Sequence, residues 1–486
     1  MKIKIAIYFL ALIATCQTAL ADVQQNTKIN LPDMGDSAGA LITPTQEKEL
    51  GEAFFRKLNA QLKISQDPEI QQYIQAIGHH LVENSDAPGK PFYFFVVLDN
   101  AINAFAGPGG YIGVNSGLIL ITESESELAS VMAHEIAHVT QRHLYRAFEA
   151  AKQLSIPRAA AMLAAILLGT QSPEMGLAAL TAIQAGSAQF QIDFTRDNEQ
   201  EADRIGMQTL VQSHYDPRSM PIFFERLQQS SRYYGKGIPE FLRTHPVTAS
   251  RIADTRGRAE KYPYRQYPDS LPYQLSKAKL KVLTIANEDA DVYHYFFVRR
   301  LQGTREQRAV ARYGLGLIYT RRQQFQKADQ IFSQLVNEFP SQAHYLTALA
   351  RNALEARQYT KALKRYLRAR KNFPGNKTVE VEYISTLLKT GQPKIAYREL
   401  QSMHFGKLNQ PLYYRLLAQI HGALKEYAKS HRFLAEFYYA SGNTPAAITQ
   451  IKLAQKSIDL NFYLAAILDE RLQFFNQEEQ QRKEDN

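Results

Sequence analysis

The stretch "VMAHEIAHVTQRH" (131–143) places two histidines four residues apart, with a glutamate directly after the first. Apolar or small residues surround them at Val131, Met132, Ala133, Ile136, Ala137 and Val139, which predicts a buried helix. On that helix His134 and His138 stand one above the other. Their imidazoles can grip one metal ion, and Glu135, about 100° around the helix, can reach a water beside it. A buried His-Glu-His triplet with no cation would be costly.

A catalytic metal needs a third protein ligand. His143 follows His134 by nine residues, about 180° around a continuous helix, and is expected to point away. The metzincin spacing to a glycine and a third histidine is absent. The better source is "NEQEAD" (198–203). Glu199 and Asp203 share one helix face: Glu199 can ligate, and Asp203 can accept a hydrogen bond from a ligating imidazole and orient it. Glu201 is expected to point elsewhere. The alternative for these carboxylates is a solvated face paired with Arg196 and Arg204.

Cys16 is the one cysteine. It lies in "MKIKIAIYFLALIATCQTALADVQQ" (1–25), which reads as a secretory signal: Lys2 and Lys4, an apolar run, then Ala19-Leu20-Ala21 before a mature start at Asp22. The apolar run is too short for a membrane span, and lipidation at Cys16 is the remaining alternative. A mature chain from Asp22 has no cysteine, which excludes disulfides and thiolate ligands, so any metal must be held by His and carboxylates. A hydrophobic content of 45% with 21% charged residues fits a globular protein. The net charge of +10 is uneven: residues 1–270 carry 24 Lys+Arg against 28 Asp+Glu, residues 271–486 carry 33 against 19. A basic C-terminal part in an exported chain suggests an acidic partner or anionic membrane surface rather than nucleic acid.

Around the motif the first half reads as α+β. Residues 22–42 resemble an extended leader. A helix capped by Thr45 and an amphipathic helix at 68–85 come next, the latter ending in surface histidines His79 and His80. "PFYFFVVLDN" (91–100) and the run after "AGPGG" (106–110) are β-type, with a turn at Asn115-Ser116-Gly117. The apolar runs in 159–186 are each too short to span a bilayer, and suit a buried helical hairpin or one that dips into a membrane or covers the active-site cleft. Past residue 300 a 34-residue register emerges: Leu315-Gly316, Tyr319, Ala328, Phe332 and Pro340, then Leu349-Ala350, Ala362, Tyr366 and Pro374, then Ala396, with a further pair around Leu434-Ala435, Tyr438 and Ala447. This is the tetratricopeptide pattern, roughly four repeats, each burying its face against the next. The Pro- and Tyr-rich stretch 260–273 marks the boundary. The expected organisation is a signal peptide (1–21), a peptidase domain (22–265) and an all-α repeat domain (266–486).

Taken together, HEIAH, "FTRDNEQEAD" (194–203) and "NAFAGPGGYIGVNSGL" (103–118) resemble the HExxH zinc peptidase family that includes the CAAX prenyl proteases and the heat-shock membrane protease. The resemblance implies a zincin-like α+β domain, mostly helical with a small sheet. It implies one zinc ion per chain on His134, His138 and Glu199, with Glu135 as general base. It also points to "THPVTASR" (244–251): His245 is expected either to hydrogen-bond the oxyanion or to occupy the fourth metal position, with Arg251 near the zinc. "GGYIGVNSG" (109–117) is expected to be the edge strand that binds substrate, Gly109, Gly110 and Gly113 allowing close backbone approach unless they are turn glycines. With a signal peptide in front and repeats behind, the implied partners are outer-membrane β-barrel proteins and the machinery that inserts them, in the periplasm. A chaperone or scaffold with latent proteolysis is the competing reading.

Overall fold

The computed structural model describes residues 42–148, 196–233, 239–286, 290–403 and 410–484. Residues 1–41, which hold the expected signal sequence, Cys16 and the expected leader, and the apolar tract 159–186 lie outside the described residues. Among the described residues, no helix is long and apolar enough to cross a membrane.

The first helix, α1 (Pro44–Gln61), is capped by Thr43 rather than Thr45. Thr43 accepts from the Gln46 backbone at 3.3 Å, and the Gln46 side chain answers on the Thr43 backbone at 3.0 Å. Pro44 suits the first helical position, where its missing N–H costs nothing, so the capping box forms at Thr43, two residues before Thr45. Helix α2 (Pro68–Glu83) is capped by Asp67 and buries Ile70, Tyr73, Ile74, Ile77 and Leu81 as its spacing requires. His79 and His80 stay exposed.

Three short strands follow: β1 (Tyr93–Val97), β2 (Ala104–Ala106) and β3 (Tyr111–Asn115), in spatial order β1-β3-β2. β3 pairs parallel with β1 and antiparallel with β2. The "GGYIGVNSG" strand is therefore central, and β1 and β2 are the edges. Nor do its glycines open onto a substrate. A Cβ on Gly110 would lie 2.2 Å from the Pro91 carbonyl, and one on Gly113 would lie 2.3 Å from the Phe105 ring. The close approach they permit is to the protein's own chain. The expected turn at Asn115-Ser116-Gly117 opens into α3 (Ser116–Ile121).

The motif helix α4 (Glu125–Thr140), capped by Ser124, is buried along its whole length from Glu125 to His138. It packs on α6 (Arg196–Gln212), which carries the NEQEAD segment. Gly206 sets that approach: a Cβ there would sit 3.0 Å from the His134 backbone nitrogen, so any side chain would push the two helices apart. Between them in sequence lies α5 (His143–Phe148). Helices α7 (Ser219–Tyr233), α8 (Glu240–Thr244) and α9 (Ala249–Ala259) close the domain, bringing Phe223, Phe224 and Phe241 into one core with Met132 and Ile136.

Helix α10 (Leu271–Thr284) faces both ways. Tyr273 and Leu280 join the core beneath the motif helix, while Leu275, Ala278 and Val282 join the core of the repeats. After α11 (Ala290–Arg300) come five helix pairs: α12 (Arg305–Arg321) with α13 (Phe325–Glu338), α14 (Ala343–Glu355) with α15 (Tyr359–Asn372), α16 (Lys377–Lys389) with α17 (Pro393–Gln401), α18 (Gln410–Ala423) with α19 (Tyr427–Ala440), and α20 (Thr444–Gln455) with α21 (Phe462–Glu484). The residues that define the register, Ala328, Phe332, Ala362, Tyr366, Ala396, Ala435 and Ala447, are all fully buried. The backbone repeats too. Gln323, Arg357, Gly391 and Lys425, spaced 34 apart, are all left-handed, with φ between 57° and 72°. The next N–H at each turn reaches back to the fifth carbonyl before it, as in Gln324 to Tyr319 at 2.8 Å and Glu426 to His421 at 2.9 Å. That is the Schellman closure of a helix C-terminus.

The repeats grip the peptidase part at α2 and at α1. Lys279 of α10 reaches Asp67 and Glu69 at 2.6 and 2.5 Å, with Arg351 of α14 joining them. At the far end the Asn59 amide donates to the Ala440 carbonyl at 3.2 Å, and Arg56 pairs with Glu478 at 3.8 Å.

Candidate metal centre

Four donor atoms from three segments converge. One atom each from His134, His138, Glu199 and His245 lies within 4.8 Å of all the others, and all four residues are buried. His134 Nε2 and His138 Nε2 are 3.0 Å apart. Glu199 Oε1 is 3.3 Å from His138 Nε2 and 2.9 Å from His245 Nδ1. His245, at the C-terminal end of α8, brings Nε2 to 3.4 Å from Glu135 Oε1. The Ala106 backbone, on strand β2, lies beside Glu135 and favours its ionised form.

The outer partners fix the ligands. His134 Nδ1 faces Asp203 Oδ1 at 3.0 Å. Arg251 clamps Asp203 with Nε and Nη2 at 2.7 and 2.8 Å, meets Glu199 Oε2 with Nη1 at 2.7 Å, and lies over the Phe224 ring. A carboxylate held by a guanidinium only accepts, so His134 carries its proton on Nδ1 and turns the Nε2 lone pair inward. A buried lone pair aimed at another imidazole and a carboxylate suits a divalent cation, and the His/carboxylate donor set suits zinc. The residues present therefore fit the metal.

Without a cation, the buried groups must share protons instead, and a metal ion would displace them. Burial alone would lower the His134 pKa, but Asp203 and Glu199 outweigh it and raise it to about 9. Burial pushes His138 well below the ordinary imidazole range. Burial opposes ionisation of Glu199, yet the neighbouring His245, His134 and His138 hold it well below the usual carboxylate range. Glu135 moves the other way: burial raises it, against the pull of His245 and His134. A general base benefits from such a raised pKa.

One expectation needs correction. His143 does not point away. The motif helix stops at Thr140, Arg142 turns left-handed at φ 57°, and the chain doubles back. His143 Nδ1 then lies 2.9 Å from His138 Nδ1, wholly buried. Glu201 points outward, as expected, and its carboxylate meets His143 Nε2 at 3.1 Å and Arg146 at 3.2 Å. Arg204 pairs with Glu201, while Glu199 and Asp203 turn inward to Arg251. The helix break had no glycine or proline to announce it.

Residues 68–259 match peptidase family M48, and residues 310–341 match the tetratricopeptide repeat. A relative from Vibrio cholerae serotype O1 is 38% identical over 466 residues, covering 95% of each chain. The beta-barrel assembly-enhancing protease of Escherichia coli (strain K12) is 35% identical over 442 residues, 91% of this chain and 90% of its own. The mitochondrial metalloendopeptidase OMA1 of Bos taurus is 33% identical over 189 residues, 37% of this chain and 35% of its own. Near-full-length identity of this order, with the buried His-Glu cluster in its matched segment, makes the chain a member of peptidase family M48, a metallopeptidase carrying tetratricopeptide repeats.

Proposed function

We propose that residues 22–265 form a zinc endopeptidase of the periplasm and that residues 266–486 hold its protein clients, outer-membrane β-barrel proteins and the machinery that inserts them. His134, His138 and Glu199 hold one zinc ion. When bound, the zinc supplies a Lewis acid and a nucleophilic water at neutral pH. Glu135 takes a proton from the attacking water and returns it to the leaving amine nitrogen. Asp203 orients His134, and Arg251 keeps Asp203 and Glu199 ionised in a dry site. The observation that carries this reading is the convergence of four buried ligand atoms within 4.8 Å, with Glu135 beside them. Strand β2, paired on one side with β3 and lying beside Glu135 at Ala106, offers the edge along which an extended substrate would add.

A second reading, a client-holding scaffold with latent proteolysis, is favoured by His245. Its Nδ1 sits 2.9 Å from Glu199, where a fourth ligand would stand. The test is degradation of an unfolded β-barrel protein by the mature chain and two variants. The enzyme reading expects Glu135→Gln to lose roughly 10²–10⁴-fold in cleavage while client capture persists. A wild type that is silent until His245→Ala favours the latched form. Equal cleavage by wild type and Glu135→Gln contradicts both.

A further inference from the structure

We propose that His143 and Glu201 act as a relay that fixes the tautomer of His138 and so holds it as a metal ligand; this rests on the metal-site reading above. His143 has left the motif helix. After the left-handed turn at Arg142 its ring comes up behind His138, with Nδ1 facing Nδ1 at 2.9 Å and the ring planes at 78°. Its other nitrogen faces Glu201 Oε2 at 3.1 Å. Glu201 lies on α6 two residues after Glu199 and looks outward, where Arg146 and Arg204 reach it at 3.2 and 3.9 Å.

The protons along this line can be assigned from the chemistry of each group. Glu201 between two guanidinium groups is a carboxylate and only accepts. His143 therefore carries its proton on Nε2. A neutral imidazole has one N–H, so His143 Nδ1 is bare and accepts. The facing His138 Nδ1 must then donate, which leaves the His138 Nε2 lone pair turned toward His134 Nε2 and Glu199. The two ligand histidines are thus oriented from behind by different devices. Asp203 acts on His134 directly, whereas Glu201 acts on His138 through an intervening ring. With His143 protonated on Nδ1 instead, His138 Nδ1 would have to accept, and its Nε2 would carry a hydrogen into the metal position.

The test is the zinc affinity of the full mature chain by chelator competition, together with the visible spectrum after cobalt substitution. His143→Leu keeps bulk but offers no acceptor. His143→Asn places a carbonyl oxygen near the Nδ1 position. Glu201→Ala changes a partly exposed group and leaves the core intact. The relay expects zinc binding weakened roughly 10–100-fold in His143→Leu, largely restored in His143→Asn, and weakened by a smaller factor in Glu201→Ala, with a cobalt spectrum altered in the Leu variant. Unchanged affinity in His143→Leu overturns the proposal, as does equal loss in Leu and Asn, which would mean a packing role. Should His143→Leu fail to fold, unchanged affinity in Glu201→Ala overturns it on its own. A wild type that binds no zinc sinks the metal reading itself, a result distinguishable from failure of the relay alone.

Discussion

Two buried clusters of charge lie in this molecule, and they are built differently. At the junction between α2 and the repeats, Asp67 and Glu69 surround the Lys279 ammonium, and Arg351 links them to Glu382. There the ammonium and the guanidinium each face carboxylates, so the opposite charges meet within the cluster. At the metal centre Arg251 neutralises Asp203 and meets Glu199, yet His134 Nε2 and His138 Nε2 still face one another at 3.0 Å. One cluster closes on itself and the other converges on a point. The first reads as a device that sets how two domains meet; the second reads as a binding site. Charge and burial alone do not separate them; the direction of the lone pairs does.

Replacing the central cation of the complete cluster gives the largest effect on stability. Lys279→Met leaves Asp67 and Glu69 buried without their ammonium and should cost about 3–5 kcal/mol in chemical denaturation. The loss should be the same with or without zinc. A loss that depends on zinc would mean the two clusters are coupled.

Chelation probes the other cluster. Zinc at about 1,000 times its dissociation constant should stabilise the wild type by about 4 kcal/mol. That increment should vanish in Glu199→Gln and persist in Lys279→Met. Thermal melts with and without chelator decide it.

Acid probes the junction. Burial would raise the Asp67 pKa, but Lys279 and Arg351 outweigh it and lower it to about 2. Because the folded pKa lies below the unfolded one, this stability is present above about pH 4 and is lost as pH falls toward 2. The amount is on the order of 2 kcal/mol. Lys279→Met should flatten that part of the profile, and an unchanged acid limb would contradict the assignment.

The smallest effect calibrates the rest. Thr43→Ala removes a helix cap outside both clusters and should cost about 1 kcal/mol, with no change in zinc binding or acid response.

What was legible in the sequence is what local spacing dictates. His134 and His138 share one helix face, as do Glu199 and Asp203, and the structure turns both faces inward, as 3.6-residue spacing leads one to expect. The burial of Ala328, Phe332, Ala362 and Tyr366 follows from a 34-residue step. Where the chain reverses or pairs at a distance, spacing gave no guide. His143 was misplaced because Arg142 adopts a left-handed conformation with no glycine to signal it. Gln323, Arg357 and Lys425 hide the repeat turns in the same way. Which of three neighbouring strands lies in the middle is a matter of pairing that the alternation of residues does not encode, so the expected edge strand is the central one. Lys279 lies 212 residues from Asp67, beyond any periodicity. The true α1 cap was present in the sequence, since Thr43 and Gln46 have the capping-box spacing that Thr45 lacks.

The most direct test of the central claim is the zinc content of the purified mature chain beside Glu199→Gln. The account predicts one zinc per wild-type chain and its loss from Glu199→Gln with the fold retained. A wild type without zinc, or a Glu199→Gln variant that keeps it, would contradict the assignment of the converging cluster as the metal centre.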